Sequence, residues 1–303
     1  MRPKDVPALL RQTVSEWLDD RAPSLAASLA LYTLLSMAPV LVIAISVAGL
    51  VFGEEAARGE VARQLHGLMG PATSEAVQAV LAQASAPHKG IAGTLVGVVI
   101  LFVGASGVFG ELQETLNIVW NVKPKPGRGV RGFLRDRFFS FAMVLGVAFL
   151  LLVSLLLSTG LSVVGAFLGA HLPGGEVFWQ VANFAISFLV VAVLFGLIFK
   201  VVPDAKIAFR DVWHGALVTA LLFTVGKLAI SFYLGKAAPG SAYGAAGSLV
   251  ALVVWVYYSA QILFFGAELT QVYAKKFGSG IVPTENAVPA EPTPSAPLPH
   301  PST

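Results

Sequence analysis

The chain reads as an all-α polytopic membrane protein, a bundle of about six transmembrane helices, and three observations carry that reading. Only 12% of its 303 residues are charged while 56% are hydrophobic, whereas soluble domains carry about 25% charged residues. The apolar residues run continuously instead of alternating, which selects helices over a barrel for crossing lipid. Lys and Arg crowd into every second loop.

The elements follow in order. Residues 1–24 form an amphipathic interfacial segment rather than a secretory signal. Val6, Leu9, Leu10, Val14, Trp17 and Leu18 recur at helical spacing, and Arg11, Gln12, Glu16 and Asp19 fill the other face. Two placements are open: on the membrane surface, or packed on the same protein. Six spans then occupy 25–277, near 25–52, 91–112, 138–170, 178–201, 213–234 and 246–274. Each reaches the roughly 20 residues that cross about 30 Å of hydrocarbon. The third has no charge from Phe138 to Ala170 and is expected to tilt, bend or protrude.

Charge sets the expected orientation. Arg2, Lys4, Arg11 and Arg21 precede span one. Lys123, Lys125, Arg128, Arg131, Arg135 and Arg137 separate spans two and three. Lys200, Lys206 and Arg210 lie between four and five, and Lys275 and Lys276 end six. These are fifteen of the 20 basic residues, so the positive-inside rule expects both termini in the cytoplasm. The opposite side carries one long loop, 54–88, in which Val61, Leu65 and Leu68, then Val77, Val80 and Leu81, predict two short amphipathic helices split at Gly70-Pro71. From Gly278 onward, seven prolines in 26 residues predict a disordered cytoplasmic tail over 278–303. No cysteine is present, which excludes disulfide and thiolate chemistry.

The polar residues inside the spans are the candidate site. In span one, Ser28, Tyr32 and Ser36 repeat every four residues with Ser24, ahead of the kink expected at Pro39. The stripe suits either the wall of a polar cavity or close helix packing through small residues. In span six, Tyr258, Gln261 and Glu268 fall within about 80° of one another and should face the bundle interior. Glu268 suits an ion pair with Arg135, Arg137 or Arg210, or a substrate or proton site. Lys227, in span five with Thr224 and Ser231 on its face, suits snorkelling to headgroups or binding an anion. At the inner end of span two, Glu111, Glu114 and Asn117 precede Trp120, an interfacial anchor, and the helix is expected to continue past the membrane edge. Gly93 and Gly97 form a GxxxG pair, a common packing signal.

Several stretches resemble the YihY/BrkB family of bacterial inner-membrane proteins: LAASLALYTLLSMAPVL (Leu25–Leu41), SGVFGELQETLNIVW (Ser106–Trp120), the Val202-Pro203-Asp204 turn with Arg210–Ala216 after it, and YGAAGSLVALVVWVYYSAQILFFGAEL (Tyr243–Leu269). The resemblance runs from about residue 8 to 277. It implies a six-helix protein of the bacterial inner membrane, linked to envelope integrity and to export of lipid or lipopolysaccharide precursors. Some members have carried the label ribonuclease BN. That label is disfavoured here, because a metal nuclease gathers His and Asp ligands and the five histidines are scattered.

Two functions are therefore carried forward. One is a transporter or flippase of a lipid or other amphiphilic envelope precursor, using spans one, five and six. The other is a non-transporting scaffold for envelope assembly, contacting envelope-assembly proteins through 54–88 and 123–137. Neither requires catalysis, a cofactor, a metal or nucleic acid; membrane lipids are the expected partners, and the oligomeric state is open. No Walker A motif is present, so transport would draw on a gradient or a partner.

Overall fold

The computed structural model describes residues 5–69, 74, 77–79, 81, 90–126, 175–237 and 247–290. Helix α1 covers Val6–Asp19, α2 Ala22–Phe52, α3 Glu54–Met69, α4 Gly90–Val119, α5 Gly175–Val201, α6 Phe209–Ala237 and α7 Gly247–Lys276. Four short strands accompany them: β1 (Val122–Pro124), β2 (Ala205–Lys206), β3 (Val282–Pro283) and β4 (Ala287–Pro289). Five of the six expected spans coincide with α2, α4, α5, α6 and α7. The third, 138–170, lies outside the described residues.

Among the described residues, four helices are long and apolar enough to cross a membrane: Ala22–Leu50, Phe184–Val201, Phe209–Ile230 and Leu249–Lys276. Their outward side chains confirm the solvent they suit. Val181, Phe184 and Leu189 on α5, and Leu221, Val225, Leu228 and Phe232 on α6, are all exposed, a pattern that hydrocarbon tolerates and water does not. Half of the α7 span is buried against 22% of the α5 span, which makes α7 the central helix. It packs on α6, α2, α1 and α4.

Helices α6 and α7 cross closely because each offers a glycine to the other's threonine. A methyl group on Gly215 would overlap the Thr270 hydroxyl, and one on Gly266 would overlap that of Thr219. Both hydroxyls are satisfied within their own helices: Thr219 Oγ1 donates to the Gly215 carbonyl and Thr270 Oγ1 to that of Gly266, each at 2.7 Å. Small residues let backbones approach, which is how helices gain contact when lipid supplies no hydrophobic drive.

The end of the bundle that carries α1 and residues 278–290 is called basal. Its core joins Leu112, Leu116 and Trp120 of the α4 region with Phe199 of α5, Val212 and Ala216 of α6, and Phe264 and Ala267 of α7. At the opposite, apical end, the segment after α3 returns to the bundle. Val77 packs with Ile230, Leu252 and Trp255, and Leu81 with Ile45, Ala48 and Ala57. Helix α3 and the helical residues Ser74, Val77–Ala79 and Leu81 agree with the helical structure expected in 54–88, and the split expected at Gly70-Pro71 lies outside the described residues.

The expectation of disorder from Gly278 is corrected for residues 278–290. Strand β4 pairs antiparallel with β1 (Val122 opposite Pro289, Pro124 opposite Ala287), and β3 pairs with β2 (Ala205 opposite Pro283). The Thr284 N–H donates to the Asp204 carbonyl at 2.9 Å, and the Ala290 N–H to that of Asn121 at 2.9 Å. Proline is tolerated at such short edges, where its missing N–H removes no essential ladder bond. A further anchor is the Asp211 carboxylate, which accepts from the Ser279 N–H and hydroxyl, both at 2.9 Å. The rest of the expected tail, 291–303, lies outside the described residues.

Candidate functional site: two polar seams in the bundle

The stripe on α2 meets α4. Ser28 donates to the Glu111 carboxylate. One turn on, Gly107 faces Tyr32 and Ser36: a Cβ there would stand 3.2 Å from Ser36 Oγ and 3.6 Å from Tyr32 Cδ1. Next, Gly104 faces Pro39, with a would-be Cβ 2.8 Å from Pro39 Cγ. The antiparallel register of 28, 32, 36 and 39 against 111, 107 and 104 makes this a packing seam. Ser36 is 2% exposed, while Tyr32 is 41% exposed at the seam's edge. The cavity-wall expectation for this stripe therefore gives way to the packing one.

Asn117 ends the same helix face and reads the Val202-Pro203-Asp204 turn from both sides. Its Nδ2 donates to Asp204 Oδ2 at 3.1 Å, and its Oδ1 accepts from the Asp204 N–H at 2.7 Å. Gln113 adds a longer bond to the same carboxylate, 3.4 Å. Lys200 closes the turn by donating to the Ile207 carbonyl. Glu114 is exposed.

Helix α7 presents a different seam. Gln261, Glu268 and Gln271 lie along one side of it, within about 80° at 100° per residue. Glu268 and Gln271 are 0% exposed. Gln261 Oε1, both Glu268 oxygens and both Gln271 polar atoms meet no N–H or hydroxyl donor or carbonyl partner among the described residues. Tyr258, the fourth polar residue of this helix, packs instead on Gly226 of α6, where an added Cβ would stand 2.5 Å from its hydroxyl. Lys227 is half-buried beside that contact.

Helix α1 covers the basal end of this line. Leu9 packs on Leu269 and Val272, with Tyr273 at the margin, and Thr13 is fully buried, its hydroxyl donating to the Leu9 carbonyl at 3.0 Å. Val6, Leu10, Val14 and Leu18 stay exposed on a neighbouring face. The helix thus packs on its own protein with one face and offers a second, apolar face outward, so both placements read from its pattern have a physical basis.

The docking brings the Asp20 and Glu268 carboxyl groups face to face, and neither Asp20 Oδ2 nor either Glu268 oxygen has a hydrogen-bond partner among the described residues. Burial pushes the Asp20 carboxyl above the ordinary carboxylate range and the Glu16 charge adds to this, against the facing Glu268 carboxyl group and the charge of Lys275. Trp17 Nε1, one turn before Asp20, is buried without an acceptor among the described residues. Arg210 is exposed and no ion pair joins it to Glu268 among the described residues; Arg135 and Arg137 lie outside them. Asp20, Trp17 and Gln271 were not legible as site residues. Asp20 reads as a solvated turn acid, and only the tertiary return of α7 past α1 gives it a partner.

No three His, Asp or Glu side chains gather as a metal site among the described residues. What the two seams offer is therefore a satisfied polar contact on one side of α2 and an unsatisfied polar line on α7, inside a bundle whose outer surface is apolar.

Known proteins place this architecture. The family model for virulence factor BrkB matches residues 13–291, and so includes the basal strands. A UPF0761 membrane protein of Pseudomonas paraeruginosa is 28% identical over 257 residues, covering 84% of this chain and 59% of that protein. One from Vibrio vulnificus is 27% identical over 274 residues, 89% of this chain and 83% of that protein. A Bacillus subtilis relative named putative ribonuclease-like protein YfkH is 24% identical over 184 residues, 59% of this chain and 65% of that protein. The chain spans under two thirds of the Pseudomonas relative's length, and no solved structure matches it. The chain is an integral membrane protein and belongs to the YihY/BrkB family, the family of virulence factor BrkB.

Proposed function

We propose that this protein is a transporter or flippase that moves a lipid or other amphiphilic envelope precursor across the bacterial inner membrane, with its basal end and both termini in the cytoplasm. The observation that carries the proposal is the polar line on α7. Buried polar groups are ordinarily paired, and an unpaired one costs about 1–3 kcal/mol. Two fully buried side chains with unpaired polar atoms, Glu268 and Gln271, and the unpaired Gln261 Oε1 beside them are expensive to keep on the central helix of a membrane bundle without a use. Intramembrane polar residues of this kind mark substrate and ion pathways. A polar headgroup moving along α7 would meet Gln261, Glu268 and Gln271 in turn while its acyl chains stay in lipid against the exposed faces of α5 and α6. The basic residues at the basal end favour the cytoplasmic orientation and attract anionic headgroups there.

The test is reconstitution into phosphatidylethanolamine–phosphatidylglycerol vesicles carrying a trace of fluorescent phosphatidylethanolamine. Wild-type protein should expose the inner-leaflet probe to an external quencher faster than empty vesicles do. Glu268→Gln and Lys227→Met should lose at least about tenfold of that flux, about 1.4 kcal/mol in barrier, while still inserting. Normal flux in both variants would remove these positions from the pathway.

The scaffold reading keeps one supporting observation, the closure of the Ser28–Ser36 stripe into a packing seam. It expects no flux from purified protein and a stable cross-linked partner through 54–88 or 123–137.

A further inference from the structure

Two carboxylates can only accept hydrogen bonds. The Asp20 and Glu268 carboxyl groups meet where Asp20 Oδ2 and both Glu268 oxygens are buried and unpartnered among the described residues, so a hydrogen bond between them needs a proton on one. Glu268 is fully buried and neither its oxygens nor Asp20 Oδ2 find another donor among the described residues. Trp17, one turn before Asp20, and Gln271, one turn after Glu268, bury unpaired polar atoms in the same junction.

We propose that the Asp20–Glu268 pair is a proton-binding site and that the shared proton latches α1 onto α7. Without the proton, two negative charges face each other in a junction shielded from water, and like charges at that range repel strongly. The charged groups around the pair do not replace the proton. On α1, Glu16 and Asp19 add negative charge. On α7, Lys275 opposes them from an exposed position at the helix end. Arg21 at the start of α2, and Arg210 and His214 on α6, are exposed, and Asp211 on α6 is engaged by Ser279. The apolar part of the contact is Leu9 against Leu269, Val272 and Tyr273, with Trp17 against the basal core, and the carboxyl pair adds the part that depends on a proton. Once released, α1 still has the exposed face of Val6, Leu10, Val14 and Leu18 to rest on lipid.

The sign follows from the raised Asp20 carboxyl. Docking is strongest at and below the ordinary carboxylate range, where the proton is held in either state. It weakens as pH rises through the elevated range, where the docked form must surrender a proton it binds more tightly than the free form does. The proposal concerns the position of α1 and is independent of what the protein transports.

The chain has no cysteine, so Ser15→Cys and Lys276→Cys, both at exposed positions, accept spin labels without further changes. Pulsed dipolar distances in phosphatidylethanolamine–phosphatidylglycerol nanodiscs should show one short α1–α7 separation at about pH 5. A second, longer population should appear and reach at least about half by about pH 9, well above the ordinary carboxylate range. Asp20→Asn and Glu268→Gln, which imitate the protonated partner, should each hold the short distance across that range. A wild-type distribution unchanged between the two pH values would overturn the latch, and so would a variant that keeps the wild-type response. If one variant fails to fold, the other decides; if both fail, the wild-type series does. No flux from the wild-type protein with an intact α1 response refutes the transport proposal alone, and normal wild-type flux with an immobile α1 refutes the latch alone.

Discussion

The α2–α4 seam and the α1–α7 junction look alike as sequence and differ as structure. Both place small or charged polar residues at helical spacing inside an apolar run. On α2, Ser28 finds Glu111, Ser36 meets Gly107, and Asn117 below them holds Asp204 from both sides. On α7, Glu268 and Gln271 are fully buried, and their polar atoms, with Gln261 Oε1, have no such partners among the described residues. The difference separates polar residues that hold helices together from polar residues the fold tolerates at a cost. In a membrane bundle only the second kind needs a functional explanation.

The contrast can be broken in order of expected effect. Glu268→Gln should reduce flux at least about tenfold with insertion intact; unchanged flux in the vesicle assay would erase the distinction at once. Asn117→Ala should behave in the opposite way. It removes both bonds to Asp204, one of them to a carboxylate, and should destabilise by about 2–3 kcal/mol, seen as a lower thermal midpoint with flux per folded molecule retained. Gly104→Ala should cost about 1–3 kcal/mol because the rigid Pro39 ring has little room to yield. Ser28→Ala should cost about 1 kcal/mol, since Glu111 loses its donor in a half-buried place. A flux defect in Ser28→Ala larger than its stability defect would return the α2 stripe to the pathway.

Much of the fold is legible in the sequence because bilayer thickness and backbone satisfaction leave few choices. Uninterrupted apolar runs become helices, and five of the expected spans lie on helices of the structure. The outer helical segment was legible for the same reason, from Val61, Val77 and Leu81 at 3.6-residue spacing. The basal tail was misread because composition counts prolines but does not see edges. Val282 and Ala287 find partners in Lys206 and Pro124, two loops whose free edges no local pattern announces. The site was legible in half. Glu268 and Gln261 stand out by their place on an apolar helix, but the partner at Asp20 depends on how a terminal helix folds back. The α2 stripe shows the converse limit, since Ser28 and Ser36 carry no mark of whether they face a glycine or a cavity.

The thermal midpoint of Glu268→Gln beside wild type, in phosphatidylethanolamine–phosphatidylglycerol nanodiscs at neutral pH, tests the central claim most directly. If Glu268 is an unsatisfied buried acid, the amide removes its charge and can still donate to Asp20, and the midpoint should stay level or rise. If the midpoint instead falls by several degrees, as breaking a buried ion pair worth about 3–5 kcal/mol would require, Glu268 has a structural cation and the α7 line is a packed, satisfied interior.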